Sequence, residues 1–249
     1  MRLPLCLVLM WVFLEHRAQT PPLQADRPDQ TETPFLVPKR HFQAETGFVF
    51  ESDDATKVIV HPSLLLKYGA LDNVELRLIT ETQTVKHISE EEGYLGVHPI
   101  EAGLKVKLFE QRKARPEAAL IGHAGIPWLA SEQFQPDYAT FNFRFTFQHT
   151  IADWMSLGYN AGMEWDGESP EPAFIYTLTT GFSITGKLGA YAEVYGFIPQ
   201  KSASQHSADG GLTFLAKTNL LLDLSGGVGI TANAPDYFVG CGVSFRLPD

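Results

Sequence analysis

The stretch Phe141-Asn142-Phe143-Arg144-Phe145-Thr146-Phe147-Gln148 decides the fold class of this chain. Apolar and polar residues alternate without a break, and every apolar one is phenylalanine. Successive side chains of a β-strand point to opposite faces, so one face of this segment is a continuous aromatic stripe. The other carries two amides, a guanidinium and a hydroxyl. A soluble sandwich buries its apolar face and wets its polar one. A transmembrane barrel turns the apolar face to lipid and the polar face to its lumen. The alternation fits both, so the flanking sequence has to separate them.

The chain has 249 residues, room for one large β domain or two small ones. With 44% apolar and 19% charged residues it is neither disordered nor a helical membrane protein. Its 17 Phe and 21 Gly suit strands and tight turns. A net charge of −10 argues against a nucleic-acid partner, which needs clustered Lys and Arg. Acidic runs such as Glu51-Ser52-Asp53-Asp54 and Glu90-Glu91-Glu92 read as solvated loops. The eight His are scattered without cysteine partners, so no metal is expected. Gly227-Val228-Gly229-Ile230-Thr231-Ala232 formally matches a dinucleotide fingerprint. That motif needs a following helix, and Asn233-Ala234-Pro235-Asp236 reads as a hairpin turn instead, so no cofactor is expected.

Met1-Arg2, an apolar run from Leu3 to Leu14 and a polar stretch ending at Ala18 describe a cleaved secretory signal over residues 1–18. Cys6 would leave with it, and Cys241 alone permits no internal disulfide. No later segment approaches the ~18 apolar residues of a membrane helix. The exported chain is therefore soluble or an outer-membrane barrel, since only helices and closed barrels satisfy their own backbone in lipid. Residues 19–40 hold Pro21, Pro22, Pro28, Pro34 and Pro38 and read as an extended periplasmic tail before a barrel domain over 41–249.

About twelve strand-like segments follow: Phe42–Glu51, Lys57–Tyr68, Asn73–Thr82, Glu101–Gln111, Ala114–Trp128, Tyr138–His149, Asp153–Trp165, Pro172–Thr185, Lys187–Ile198, Gly210–Lys217, Leu220–Thr231 and Asp236–Leu247. Most reach the roughly 9–11 residues that a membrane-spanning strand needs. Tight links near Gly69, Gln111, Thr150, Gly186 and Thr218 alternate with longer ones, notably Thr82 to Ile100 and Leu129 to Asp137. Short periplasmic turns and longer outer loops give this rhythm in a barrel with an even strand count. Parity sends Leu220, Leu222, Leu224, Val228, Tyr237, Val239, Val243 and Phe245 outward, and Asp223, Ser225, Ser244 and Arg246 inward. The same rule puts Trp128, Trp165 and Tyr237 on the lipid face at outer strand ends and Tyr68 on that face at an inner end, as an aromatic girdle. These patterns together predict an all-β, closed, antiparallel transmembrane β-barrel of about twelve strands with a Pro-rich N-terminal tail.

Asp26-Arg27-Pro28-Asp29-Gln30-Thr31-Glu32, Phe42-Gln43-Ala44-Glu45-Thr46-Gly47-Phe48, Leu66-Lys67-Tyr68-Gly69, Asn73-Val74-Glu75-Leu76-Arg77-Leu78 and the run from Gly189 to Leu247 carry a family likeness. Through them the chain resembles the MetA-pathway of phenol degradation family of outer-membrane transporters. The resemblance covers most of the mature chain and implies an exported β-barrel, and it does not name a substrate. Gly242-Val243-Ser244-Phe245-Arg246-Leu247 also resembles the terminal signal read by outer-membrane barrel assembly machinery, although Pro248-Asp249 follow it here.

Parity places Glu45, Glu75, Arg77, Lys105, Lys107, Glu117, Arg144, Glu193 and Arg246 in the lumen. Glu75 and Arg77 are expected beside Lys105 and Lys107, these beside Glu117, and Arg246 beside Glu45 if the barrel closes. Charges inside a low-dielectric wall need partners or water. The set is either a structural ion-pair lattice or a constriction sorting solutes by charge and size. The tail either trails in the periplasm or folds back as a partial plug, with Asp26-Arg27-Pro28-Asp29 pairing to lumen charges. A Ser–His lipid hydrolase needs a base within reach of a nucleophile. His61 and Ser63 share an inward face, and His123 and His149 lack an obvious partner, so no enzyme is expected. The expectation is an outer-membrane channel in a double-membraned bacterium, passing small apolar or aromatic solutes and partnered by outer-membrane lipid. Its main alternative is a structural or binding barrel closed by charged side chains and tail.

Overall fold

The computed structural model describes residues 21–90 and 92–248. The signal segment 1–18, with Cys6 and the cleavage point, lies outside the described residues. Fourteen strands appear among the described residues: β1 (Phe42–Ser52), β2 (Thr56–Leu71), β3 (Val74–Thr80), β4 (Thr82–His87), β5 (Tyr94–Val97), β6 (Ile100–Phe109), β7 (Glu117–Ile126), β8 (Phe141–Ala152), β9 (Met155–Trp165), β10 (Ala173–Ser183), β11 (Leu188–Pro199), β12 (Gln205–Lys217), β13 (Leu220–Gly229) and β14 (Tyr237–Leu247). With β4 and β5 set aside, each strand pairs with the one before and the one after it, β3 pairing directly with β6, and β1 pairs with both β14 and β2. The result is a closed, antiparallel, twelve-stranded barrel. Closure runs in register from Phe42 opposite Leu247 to Ser52 opposite Tyr237.

The wall is inside-out relative to a soluble protein. Leu222, Leu224, Val228, Val239 and Phe245 are exposed on its outer surface, whereas Asp223, Ser225, Ser244 and Arg246 are buried within. In β8, Phe141 and Phe145 are exposed while Thr146, on the opposite face, is fully covered. The phenylalanines form a ladder down this strand, with centroids 6.4 Å apart for Phe141 and Phe143, 6.3 Å for Phe143 and Phe145, and 6.5 Å for Phe145 and Phe147. Trp165 joins it at 5.7 Å from Phe141, and Tyr159 at 5.1 Å from Phe147.

β4 and β5 were not expected as strands. β2 has 16 residues, longer than a membrane crossing needs, and its outer part Thr56–Val60 pairs with β4. The link from β3 to β6 therefore continues the wall upward as a hairpin. It packs on the β7–β8 link through Tyr94 and His98, whose rings lie 5.5 Å and 4.5 Å from that of Phe134. Trp128 is a correction: β7 ends at Ile126, and Trp128 sits beyond it in a 3-10 turn, 76% exposed. Tyr68 and Tyr237 are exposed on the outer surface, and Trp165 is half-buried among the β8 rings.

Candidate functional site

The tail lies inside the barrel, so of the two courses open to it the structure has the inward one. It enters at the rim of the short turns, where the Leu23 amide donates to the Thr218 carbonyl, 2.9 Å. It crosses the lumen at residues 26–33 and leaves along β2, where the Arg40 amide donates to the Gly69 carbonyl, 2.7 Å. Gly69 is required by this exit: a Cβ there would stand 2.2 Å from the Pro38 carbonyl oxygen. Gly47 and Gly242 likewise leave space that the Arg27 guanidinium fills on its way to Asp223, 3.0 Å.

One flank of the tail is bound by ions. Asp26 is paired with Lys67 at 2.7 Å, Arg77 at 2.9 Å and Lys105 at 2.9 Å. Lys67 also pairs with Glu45, and Arg77 with Glu75 at 3.2 Å and with Glu32 of the tail at 2.8 Å. The Asp26 amide donates to Glu45 at 3.0 Å and the Val37 amide to Glu75 at 2.7 Å. Lys105 adds donation to the Thr33 carbonyl, 2.9 Å. Each carboxylate of this flank meets a cation, and the cations meet more than one acceptor, which is what buried charge demands. Burial alone would raise the Asp26 carboxyl, but Lys105, Lys67 and Arg77 outweigh it and hold it well below the usual range.

The tip of the tail meets the opposite wall differently. The Gln30 amide donates to Glu193 at 2.7 Å, and the Thr31 hydroxyl bonds Thr177 at 2.6 Å and donates to Glu193. The Glu32 amide donates to Asn160 at 2.8 Å, and Asn160 returns a bond to the Glu32 carbonyl at 2.9 Å. Arg144 donates to the Gln30 carbonyl at 3.3 Å. Glu193 stands opposite Asp209 across the β11–β12 pair, and neither forms an ion pair among the described residues. Asp29 lies close enough to feel both: burial first, then repulsion from Glu193 and Asp209, raises its carboxyl well above the usual range.

The plug divides the interior. Above it is an outer cavity of about 730 Å³, bounded by the hairpin and the β7–β8 link and lined by Tyr94, His98, Glu101, Phe134, Asn142 and Glu164. Below is an inner vestibule of about 400 Å³ between the tail and β8–β12, lined by Gln148, Ser156, Gly158, Thr179, Tyr191 and Thr213. A hydrogen-bonded chain joins the outer cavity to the plug. Glu101 accepts from Asn142 at 3.3 Å, Asn142 is 2.9 Å from His123 Nδ1, and Arg77 Nε donates to His123 Nε2 at 3.0 Å. Because Arg77 can only donate, the ring is neutral with its proton on Nδ1.

The nine charges placed inside by parity divide among several locations. Glu45, Glu75, Arg77 and Lys105 meet in the ion lattice. Lys107 does not join them. It pairs with Glu117 at 2.9 Å and Glu110 at 3.3 Å by the inner turn, because a further step along β6 carries it below the tail. Arg144 and Glu193 belong to the tip. The expected Arg246–Glu45 pair does not form, since closure sets Arg246 opposite Gln43 and Glu45 opposite Ser244. Arg246 instead donates to the Pro21 carbonyl. Lys67 was missed, although the alternation that sends Tyr68 outward sends it inward. Asn160 and Thr177 carried no sequence signal of their own, because their partners come from the tail's path. His123 does have partners, Arg77 and Asn142.

The family described as "Putative MetA-pathway of phenol degradation" matches residues 25–247. Among solved structures, the chain is similar to the COG4313 outer membrane channel from Pseudomonas putida F1, with a TM-score of 0.70 at 10% identity over 88% of this chain and 99% of that one. It is also similar to the NanC porin, with a TM-score of 0.54 at 10% identity over 83% of this chain and 100% of that one. No curated protein matches the sequence. At these identities the likeness is one of fold, that of an outer-membrane β-barrel.

Proposed function

For a chain that belongs to the MetA-pathway of phenol degradation family, we propose passive passage of small uncharged solutes, apolar or aromatic, across the outer membrane. Residues 1–18 direct export and are cleaved, and the barrel assembly machinery inserts the mature chain. The observation that carries the reading is the divided lumen: cavities of about 730 and 400 Å³ lie on either side of a segment that contributes no strand to the wall. Such a segment can move without breaking the barrel. The two similar structures are a channel and a porin by name, which agrees with this use of the fold. The family description suggests the solute class.

A second reading follows from the ion lattice. The tail closes a structural or binding barrel for good, and the charges stiffen it. Single-channel recording in planar bilayers separates the two, because a channel gives discrete current steps. A folded, purified barrel that never carries current overturns the channel. A liposome-swelling series with graded sugars then ranks solutes by size.

A further inference from the structure

The tail is held unequally, and the inference drawn from this rests on the channel reading. Its Asp26 flank is bound by ion pairs of 2.7–2.9 Å to cations that are almost wholly buried. Its tip, residues 28–32, is held to β9, β10 and β11 by hydrogen bonds around Asn160, Thr177 and Glu193, and among the described residues its ion pairs run from Glu32 alone, to Arg77 at 2.8 Å and Lys105 at 3.9 Å. Glu193 faces Asp209 there, and Asp209 accepts from Tyr191 at 2.9 Å, so among the described residues no cation ties the tip to this wall. Removing one partner from a buried ion pair leaves an uncompensated charge and costs several times what an ordinary hydrogen bond is worth. The tip is therefore the part that lets go first.

The inner vestibule lies on the tip's side, lined by Pro28, Asp29 and Thr31. The inner vestibule follows β8–β12, where Gly158 and Gly181 leave room beside the tail. A Cβ at Gly158 would come within 3.2 Å of Thr31, so the tip closes the passage by sitting directly on this glycine. Above the tip, Arg144 reaches from the Gln30 carbonyl toward Glu164 of the outer cavity, 3.8 Å away. Displacing residues 28–32 would open the vestibule toward the outer cavity, giving up the Glu32–Arg77 pair and leaving the three pairs of Asp26 intact.

We propose that solutes cross along the β8–β12 wall, and that residues 28–32 are the moving gate, swinging off Asn160, Thr177 and Glu193 while the Asp26 flank stays anchored. The wall so exposed offers Asn160, Thr177 and the Glu193–Asp209 pair, and the vestibule beside it Gln148, Ser156, Thr179 and Thr213. It suits small uncharged solutes bearing a hydroxyl group over anions.

The test is a cysteine pair, Thr31→Cys with Thr177→Cys in a Cys241→Ser background, reconstituted in liposomes and in planar bilayers. The native hydroxyls are 2.6 Å apart, so the thiols are placed to cross-link. The reduced pair passes arabinose and shows current steps, and the oxidised pair loses at least tenfold of both. Equal passage by the two forms overturns the gate and leaves the channel standing. Passage by neither overturns the channel reading and the gate with it. Should the pair fail to fold, Asn160→Ala removes both bonds to Glu32 without a thiol. It raises the open fraction severalfold, and an unchanged open fraction counts against the gate.

Discussion

Asp26 is where tail and wall meet most strongly, because one carboxylate serves Lys67, Arg77 and Lys105 at once. Replacing it by Asn leaves Lys105 with backbone carbonyls and with Glu32 at 3.9 Å. We expect Asp26→Asn to weaken docking of the tail by about 3–5 kcal/mol, the cost of an unpaired buried charge. Protease trimming of the tail in reconstituted barrels should quicken accordingly, and unchanged protection would contradict this. The pH response has opposite signs on the two flanks. A carboxyl held below its usual range contributes stability above that range and loses it as pH falls through the depressed value, so mild acid leaves the Asp26 flank docked. Asp29 is raised, so its docked form keeps a proton that the free tail gives up, and docking weakens as pH rises above the usual carboxylate range. Raising pH from about 5 to about 9 should increase protease access to the tip, and Asp29→Asn should remove most of that increase. An identical pH response in the variant would exclude Asp29 as the source. The acidic tail residues were visible in the sequence as candidates for lumen pairing. Which flank each one meets was not, because a Pro-rich segment has no periodicity to orient its side chains.

The β8 strand shows an element that reads itself. Its alternation places Phe145 on the outer face between Phe143 and Phe147, and the structure keeps it there, exposed beside its ring neighbours. Phe145→Arg puts a cation toward the acyl chains and should cost about 2–4 kcal/mol if the residue lies near the bilayer midplane. Urea titration of the barrel refolded into vesicles measures it, and a change below about 0.5 kcal/mol, the usual bound for an unconstrained surface site, would place that face in water. Where lipid does not enforce the alternation, reading fails. The β4–β5 hairpin stands on the outer extension of β2, and its Thr- and Gln-containing segment resembles any polar loop. Trp128 was drawn into β7 for the same reason: Pro127 ends the pairing, and an aromatic in a 3-10 turn looks in sequence like one more strand residue.

The whole molecule is a closed wall with an internal strap. A barrel of this kind should stay in solution only with detergent or lipid, and should migrate faster on gels before heating than after. A mature chain that remains dispersed and monomeric in plain buffer would overturn the membrane reading. The sequence alone determined the wall: period-two alternation assigns a face to every residue of a strand, and lipid outside with water inside makes that assignment unambiguous. It therefore determined the twelve strands of the wall and their even up-and-down order, though not the β4–β5 hairpin above them. Only the tertiary structure decided who pairs with whom. Closure sets the stagger between β1 and β14, which takes Arg246 away from Glu45. The tail's path brings Asp26 to three strands far apart in sequence, through contacts no local pattern encodes.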